Sequence, residues 1–217
     1  MVSVVIPTYN RFDLVKEAIR SVQEQTFRDL EVIVVDDCSD DPRYRELEGR
    51  DDIRYFRLDR RSGLPAAGRN VGIANAAGDW IAFLDDDDVW EPRKLEMQMA
   101  MTGMYSFVCT EAFYEGQLYA RGKFIDVWRQ KNPENTFEFT NGLLRRHNLV
   151  INSSVLVRKD ILLHVGMLSE EPHLRGIEDY DLWLKITSMG IDCLFIPVPL
   201  LRYRTNNEKF YHDDHVR

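Results

Sequence analysis

An α/β fold, with a central mostly parallel sheet flanked by helices and a smaller mixed sheet in the C-terminal half, is predicted by three observations. Short apolar runs rich in β-branched or aromatic residues, at residues 2–6, 30–35 and 80–84, alternate with stretches of helical periodicity. Each run ends in a polar cluster: Pro7-Thr8-Tyr9, Asp36-Asp37 and Asp85 to Asp88. From residue 111 onward the alternation gives way to an aromatic-rich sequence interleaved with polar residues. Parallel strands joined by right-handed crossovers end on one edge of their sheet, so the three clusters should meet in one crevice.

Val2-Ser3-Val4-Val5-Ile6 is a strand that Pro7 ends. Asp13 is placed to cap the helix that follows, on which Val15, Ala18, Ile19 and Val22 share an apolar face. Leu30 to Val35 is a second strand, and Ile53 to Leu58 a third, interrupted by Arg54 and Arg57. Residues 66–77 are helical in composition, with Gly68 and Gly72 permitting close approach to a sheet. Trp80 to Leu84, opened by Gly78-Asp79, suits a strand covered on both faces. Glu91-Pro92 then reads as a helix start, with Pro92 at the first helical position and Leu95, Met99 and Thr102 at helical spacing. The four acids are therefore expected between a strand and a helix.

Beyond them, Tyr105 to Thr110 reads as a strand and Phe113 to Phe139 as irregular strands and loops. Val150-Ile151 and Val155-Leu156-Val157 flank Asn152-Ser153-Ser154, giving an extended segment with a polar centre. Arg158 to Val165 forms a short helix stopped at Gly166, and Glu178-Asp179-Tyr180-Asp181 opens another that ends near Gly190. Ile191 to Ile196 and Leu200 to Arg204 close the fold as two strands around Pro197 and Pro199, and residues 205–217 form a polar tail carrying His212 and His215.

At 217 residues the chain is the size of one α/β domain. A net charge of −8 argues against a general nucleic-acid binder, since nothing basic is concentrated enough to neutralise a phosphate backbone. Cys38, Cys109 and Cys193 are odd in number and have neither disulfide-framework nor zinc spacing, which points to a reducing compartment. With no transmembrane segment and no signal-peptide pattern, the expected location is cytoplasmic.

The acidic block is electrostatically expensive. Neighbouring carboxylates about 6 Å apart repel by roughly 0.7 kcal/mol per pair in water, and several times more beside a protein wall. A helix N-terminus offsets only about 0.3–1 kcal/mol per charge. A divalent cation would turn that repulsion into binding energy. Asp85 and Asp87, two apart and offering only oxygen, suit Mg2+ or Mn2+ rather than zinc, as a site for a phosphorylated ligand.

Five stretches in order resemble the inverting glycosyltransferases of family 2, which share the GT-A fold, a Rossmann-like nucleotide-diphospho-sugar transferase architecture. They are Val4-Val5-Ile6-Pro7-Thr8-Tyr9-Asn10-Arg11, Glu31 through Ser39 preceded by Gln25-Thr26-Phe27, Gly68-Arg69-Asn70-Val71-Gly72, Leu84 through Trp90, and Glu178 through Trp183. The resemblance covers about residues 2 to 200. It departs from the family pattern at Ala66-Ala67-Gly68, where an extra glycine precedes Arg69.

The resemblance implies a single GT-A domain over 1–217, with a nucleotide-sugar-binding half (1–110), an acceptor and catalytic-base half (111–204) and the tail. Pro7, Thr8 and Tyr9 would line the base pocket, and Asp37 would bind base or ribose while Asp36 caps the turn. Arg69 would approach the diphosphate or order the site, Asp86 would touch the donor, and Asp85 and Asp87 would hold Mn2+ or Mg2+. Asp179 would be the general base of an inverting displacement, with Glu178 as the alternative base or support. Trp183 would be core or acceptor wall, and His212 or His215 an additional metal ligand. The implied partners are a nucleotide-diphosphate sugar, UDP favoured, and a glycan or lipid-linked acceptor, with peripheral membrane association. The competing readings are a sugar-phosphate nucleotidyltransferase, which would ordinarily need a glycine-rich loop that residues 7–11 lack, and a catalytically silent nucleotide-sugar-binding module. The chain is expected to be either a minimal enzyme or a segment of a larger one.

Overall fold

Val2–Thr8 (β1), Leu30–Asp36 (β2), Arg54–Arg57 (β3) and Trp80–Phe83 (β4) pair in parallel in the computed structural model, which describes residues 1–115 and 138–204. The second half adds Val89–Trp90 (β5), Phe107–Glu115 (β6), Glu138–Phe139 (β7), Leu156–Arg158 (β8) and Cys193–Arg204 (β9) to the same sheet. Its order is β3-β2-β1-β4-β8-β6-β9-β5, with β7 also on β9, so the mixed half continues the parallel half without a break. β8 is the joint. It runs antiparallel to both β4 and β6.

Successive side chains of a strand point to opposite faces, and both faces of this sheet are covered. On one side Val4, Ile6, Val32 and Val34 pack with Phe12, Val15, Ala18, Ile19 and Val22 of the helix Phe12–Gln23 (α1). On the other, Val5, Ile33, Val35, Ile81 and Phe83 pack with the helices Pro65–Asn75 (α2) and Glu178–Ser188 (α6). Three short helices, Lys94–Met99 (α3), Asn141–Leu144 (α4) and Lys159–His164 (α5), fill the second half.

The differences from the sequence reading have local causes. Asp13 lies inside the first turn of α1 and makes no cap; its carboxylate accepts from Arg43 instead. Pro92 does not open a helix, because Val89–Trp90 is drawn into the sheet by β9 and α3 begins only at Lys94. The acids therefore lie between two strands. Asn152–Ser154 is a buried 3-10 turn rather than extended chain. Pro197 and Pro199 do not split the last strand: β9 runs through them, and the irregularity appears as register shifts around Glu111 on β6, which faces Pro199. β6 itself continues to Glu115, past the expected end. The rest of the expected irregular region, residues 116–137, and the tail with His212 and His215 lie outside the described residues.

α2 can lie close to β1 only because of its glycines. A Cβ at Gly72 would fall 2.3 Å from Val5 Cγ1, on a fully buried β-branched side chain that cannot move aside. Gly72→Ala should therefore cost about 1–3 kcal/mol of stability despite the better helix propensity of alanine. Gly103→Ala, where no atom lies within 4 Å, should stay within about 0.5 kcal/mol. Urea unfolding of both variants measures the difference.

Candidate functional site

The carboxyl ends of β1, β2 and β4 lie side by side, and each supplies one of the expected clusters. β1 runs past Pro7, its expected end, to Thr8, which is buried with its hydroxyl 2.7 Å from the Tyr44 hydroxyl; the latter also accepts the Arg11 backbone N–H at 3.0 Å. Asn10 takes the left-handed conformation, with φ 51°, and its side chain and backbone tie this loop to Ser39 and Asp40. Tyr9 carries the Arg61 guanidinium over its ring, 4.1 Å from the centroid.

The two acids at the end of β2, Asp36 within the strand and Asp37 just past it, divide their work. Asp36 is fully buried and accepts from the Ser39 N–H and hydroxyl, the Tyr55 hydroxyl and Arg57, closing the turn that follows the strand. Asp37 is more exposed and accepts the backbone N–H groups of Ser62 and Gly63, at 2.6 and 2.9 Å, so it sets the loop that carries Arg61.

The acids after β4 each have a different environment. Asp85 accepts from Arg69 at 2.7 Å and from Asn152 at 3.0 Å, while its own N–H donates to the Ser153 hydroxyl. Asp86 is buried, with Arg11 3.0 Å from its Oδ1; burial, opposed by Arg11 and reinforced by Asp87, lifts its pKa to about 6. Asp87 receives the same Arg11 nitrogen at 2.8 Å, and burial together with Asp85 raises its pKa. Asp88 is fully buried: Oδ1 accepts the Arg204 N–H, Oδ2 has no partner among the described residues, and burial lifts its pKa well above the carboxylate range.

Arg69 connects this edge to the second half of the chain. It projects from α2, is 5% exposed, and donates one nitrogen to Asp85 and another to Glu178 Oε1, each at 2.7 Å. Burial opposes its charge, yet Asp85, Glu178 and Asp179 hold its pKa above the usual arginine value. Of the two roles expected for Arg69, the geometry displays the ordering one, since its guanidinium is committed to these carboxylates. Glu178 is committed as well, because Oε2 accepts the Gly176 N–H. Asp179 is not so committed. Its Oδ1 accepts the Tyr180 N–H, and burial, partly offset by Arg69, lifts its pKa to about 6. Asp85 also contributes to that rise, so the acids after β4 and the start of α6 share one electrostatic environment.

Trp183 is fully buried between Phe83 and Phe107, with ring centroids 6.1 and 5.1 Å away, and thus supports α6 from within the core rather than forming an acceptor wall. Pro7 and Thr8 end β1, Tyr9, Asp37, Asp85, Asp86 and Asp87 lie on the segments that follow the strands, Arg69 projects from α2, and Glu178 and Asp179 open α6, whereas His212 and His215 are outside the described residues. The sequence reading missed Arg11, Asn152 and Ser153. A signal for the last two was present: three consecutive polar residues inside the apolar run 149–157 must be hydrogen-bonded if buried.

Among the described residues no group of three or more His, Cys, Asp or Glu is arranged to hold a metal. The chemistry of the donor set nevertheless fits Mg2+ or Mn2+, which are ordinarily held by one or two carboxylates plus ligand phosphates and waters. A cleft of about 790 Å³ lies elsewhere, lined by Glu91, Pro92, Arg93, Phe113, Pro199, Leu200 and Arg202. Converging polar groups, rather than cavity size, locate the site at the strand ends.

Removing one partner of a buried charge pair leaves the other uncompensated, at a cost of about 3–5 kcal/mol. Arg69→Met should therefore destabilise the fold by that amount in denaturant titration. Adding Glu178→Gln to it should recover part of the loss, and an additive second loss would show that the pair is not coupled.

The profile of Glycosyl transferase family 2 matches residues 3–163. An uncharacterized glycosyltransferase of Rickettsia felis is 39% identical over 202 residues, covering 88% of this chain and 31% of that protein. The UDP-Glc:alpha-D-GlcNAc-diphosphoundecaprenol beta-1,3-glucosyltransferase WfgD of Escherichia coli is 42% identical over 102 residues, 46% of this chain and 40% of that protein. Each match thus covers less than half the length of the relative. The crystal structure of S. aureus TarS 1-349 in complex with UDP superposes with a TM-score of 0.74 at 20% identity, covering 94% of this chain and 60% of that one, a likeness of fold alone. A family match over most of the chain, on motifs that the sheet gathers at one edge, makes this chain a member of glycosyl transferase family 2 with the GT-A fold.

Proposed function

We propose that the chain transfers a sugar from a UDP-linked donor to a hydroxyl of a glycan or lipid-linked acceptor, with inversion and with Asp179 as general base. The observation that carries this reading is the junction at Arg69, which brings the acids after β4 and the start of α6 into one electrostatic environment. Support for the donor and acceptor classes comes from the WfgD name, which specifies a UDP-sugar and a diphosphoundecaprenol acceptor, and from the UDP complex of TarS.

Pro7, Thr8 and Tyr9 line the base pocket, Asp37 fixes the loop that borders it, and Asp86 borders the donor. Asp85 and Asp87 are the residues to hold Mn2+ or Mg2+. When bound, such an ion supplies positive charge against which the nucleoside diphosphate departs. Asp179 takes the proton of the acceptor hydroxyl as that oxygen bonds to the anomeric carbon and the bond from this carbon to the diphosphate breaks. With one base and no carboxylate nucleophile, the single displacement inverts the anomeric centre. Asp179 is preferred over Glu178 because both Glu178 oxygens are already engaged. No helix among the described residues is long and apolar enough to cross a membrane; peripheral association with the membrane surface, to meet a lipid-linked acceptor, is part of this proposal.

Asp179→Asn should keep UDP binding in the presence of Mn2+, read by calorimetry, while lowering sugar transfer by about 10²- to 10⁴-fold. Unchanged transfer would remove Asp179 from the role, and a binding module without catalysis would show no transfer in the native chain either. A base must be ionised to act. With the Asp179 pKa at about 6, kcat should be flat near neutral pH and fall about tenfold per unit once pH drops below that value. Asp86 titrates in the same range. UDP affinity measured across the same pH range therefore assigns the limb: constant affinity leaves it to Asp179.

A further inference from the structure

Three of the acids after β4 are paired with an arginine, Asp85 with Arg69 and both Asp86 and Asp87 with Arg11, but the two arginines are not equivalent. Arg69, on Asp85, is buried and tied to Glu178 on its far side. Arg11, on Asp87, has a side chain 44% exposed, and it places a single nitrogen, Nη1, between Asp86 Oδ1 at 3.0 Å and Asp87 Oδ2 at 2.8 Å. Its backbone is pinned, since the N–H donates to the Tyr44 hydroxyl and the residue immediately precedes α1. The side chain is therefore a tethered cation with a fixed base and a partly exposed end. The neighbouring acids have other partners: Asp85 accepts from Arg69 and the Asn152 amide, and Asp88 accepts the Arg204 backbone N–H.

Resting on the metal-assisted reading above, we infer that Arg11 is an internal counter-cation that occupies Asp87 in the free protein and is displaced from it when the divalent ion binds. The argument is one of charge and of shared atoms. Crowded carboxylates need positive charge whether or not a metal is present, and a guanidinium is well suited to supply it because it is weakly hydrated and always charged. Inner-sphere contact of a divalent ion with Asp87 would put two positive centres against one carboxylate, so the two occupants compete. The Arg11 side chain is half-exposed, although those of Asp86 and Asp87 are only 7% and 16% exposed, so this pair exchanges more readily than the Arg69–Glu178 pair, in which both side chains are buried. The ion must then outcompete Arg11 when it arrives alone. When it arrives with a diphosphate, Arg11 is offered another anion. The device makes cation binding depend on the nucleotide, and keeps the acids neutralised between turnovers.

The test is Mn2+ binding without any donor, with free ion counted by electron paramagnetic resonance on the whole chain. Arg11→Met, which keeps the length of the side chain and removes its charge, should bind Mn2+ about tenfold or more tightly than the native protein. Arg11→Lys, which keeps the charge, should stay near the native affinity. Arg50→Met, which takes the same charge from the Asp52 pair, controls for a change in overall charge and should not tighten binding. Equal Mn2+ affinity in the native and Arg11→Met proteins, both folded by circular dichroism, would overturn the competition and leave the metal reading standing. Absence of Mn2+ binding in every protein, with and without UDP, would overturn the metal reading and this inference together.

Discussion

A guanidinium that is 5% exposed must be paired with carboxylates or the fold does not form, and Arg69 meets that requirement through two acids 93 residues apart, Asp85 and Glu178. The rest of the site follows from this junction. α2 must lie close enough to the sheet for Arg69 to reach the end of β4, which the absence of side chains at Gly68 and Gly72 allows. The start of α6 must face the same point, which the packing of Trp183 against Phe83 and Phe107 secures from below. One cation thus sets the spacing between the acidic edge built from the first half of the chain and the acids at the start of α6 in the second.

The same junction sorts the acids by role. Glu178 has both oxygens engaged, whereas Asp179, next to it, is left with a raised pKa and an available oxygen. In the block after β4, burial separates four chemically identical side chains. Asp88 is held inside by the Arg204 N–H and Asp86 is buried under Arg11, while Asp85 and Asp87 stay more open. Neighbours in sequence acquire different chemistry because the backbone turns them toward different walls, and each wall sets its own balance of desolvation and opposite charge.

The parallel half was legible because its strands are continuous apolar runs and its helices carry glycine or apolar spacing that only one packing satisfies. The convergence of Pro7-Thr8-Tyr9, Asp36-Asp37 and Asp85 to Asp88 followed from topology alone. What failed was decided by partners remote in sequence. Val89–Trp90 is a strand only because Leu201 and Arg202 lie beside it, so Pro92 lost its place as a helix start. The 3-10 turn at Asn152–Ser154 exists because Asp85, Trp90 and Gln98 take hydrogen bonds from or give them to it. No window of local periodicity contains those residues together.

The sequence by itself determined the fold class, the edge at which the acids collect and the family to which the chain belongs, because periodicity, turn chemistry and ordered motifs are local properties of the chain. Only the tertiary structure decided which acids are tied down and which stay more open, that Arg11 sits on Asp86 and Asp87, and that Trp183 belongs to the core. Those outcomes depend on desolvation and on charge pairing across distances that folding alone sets.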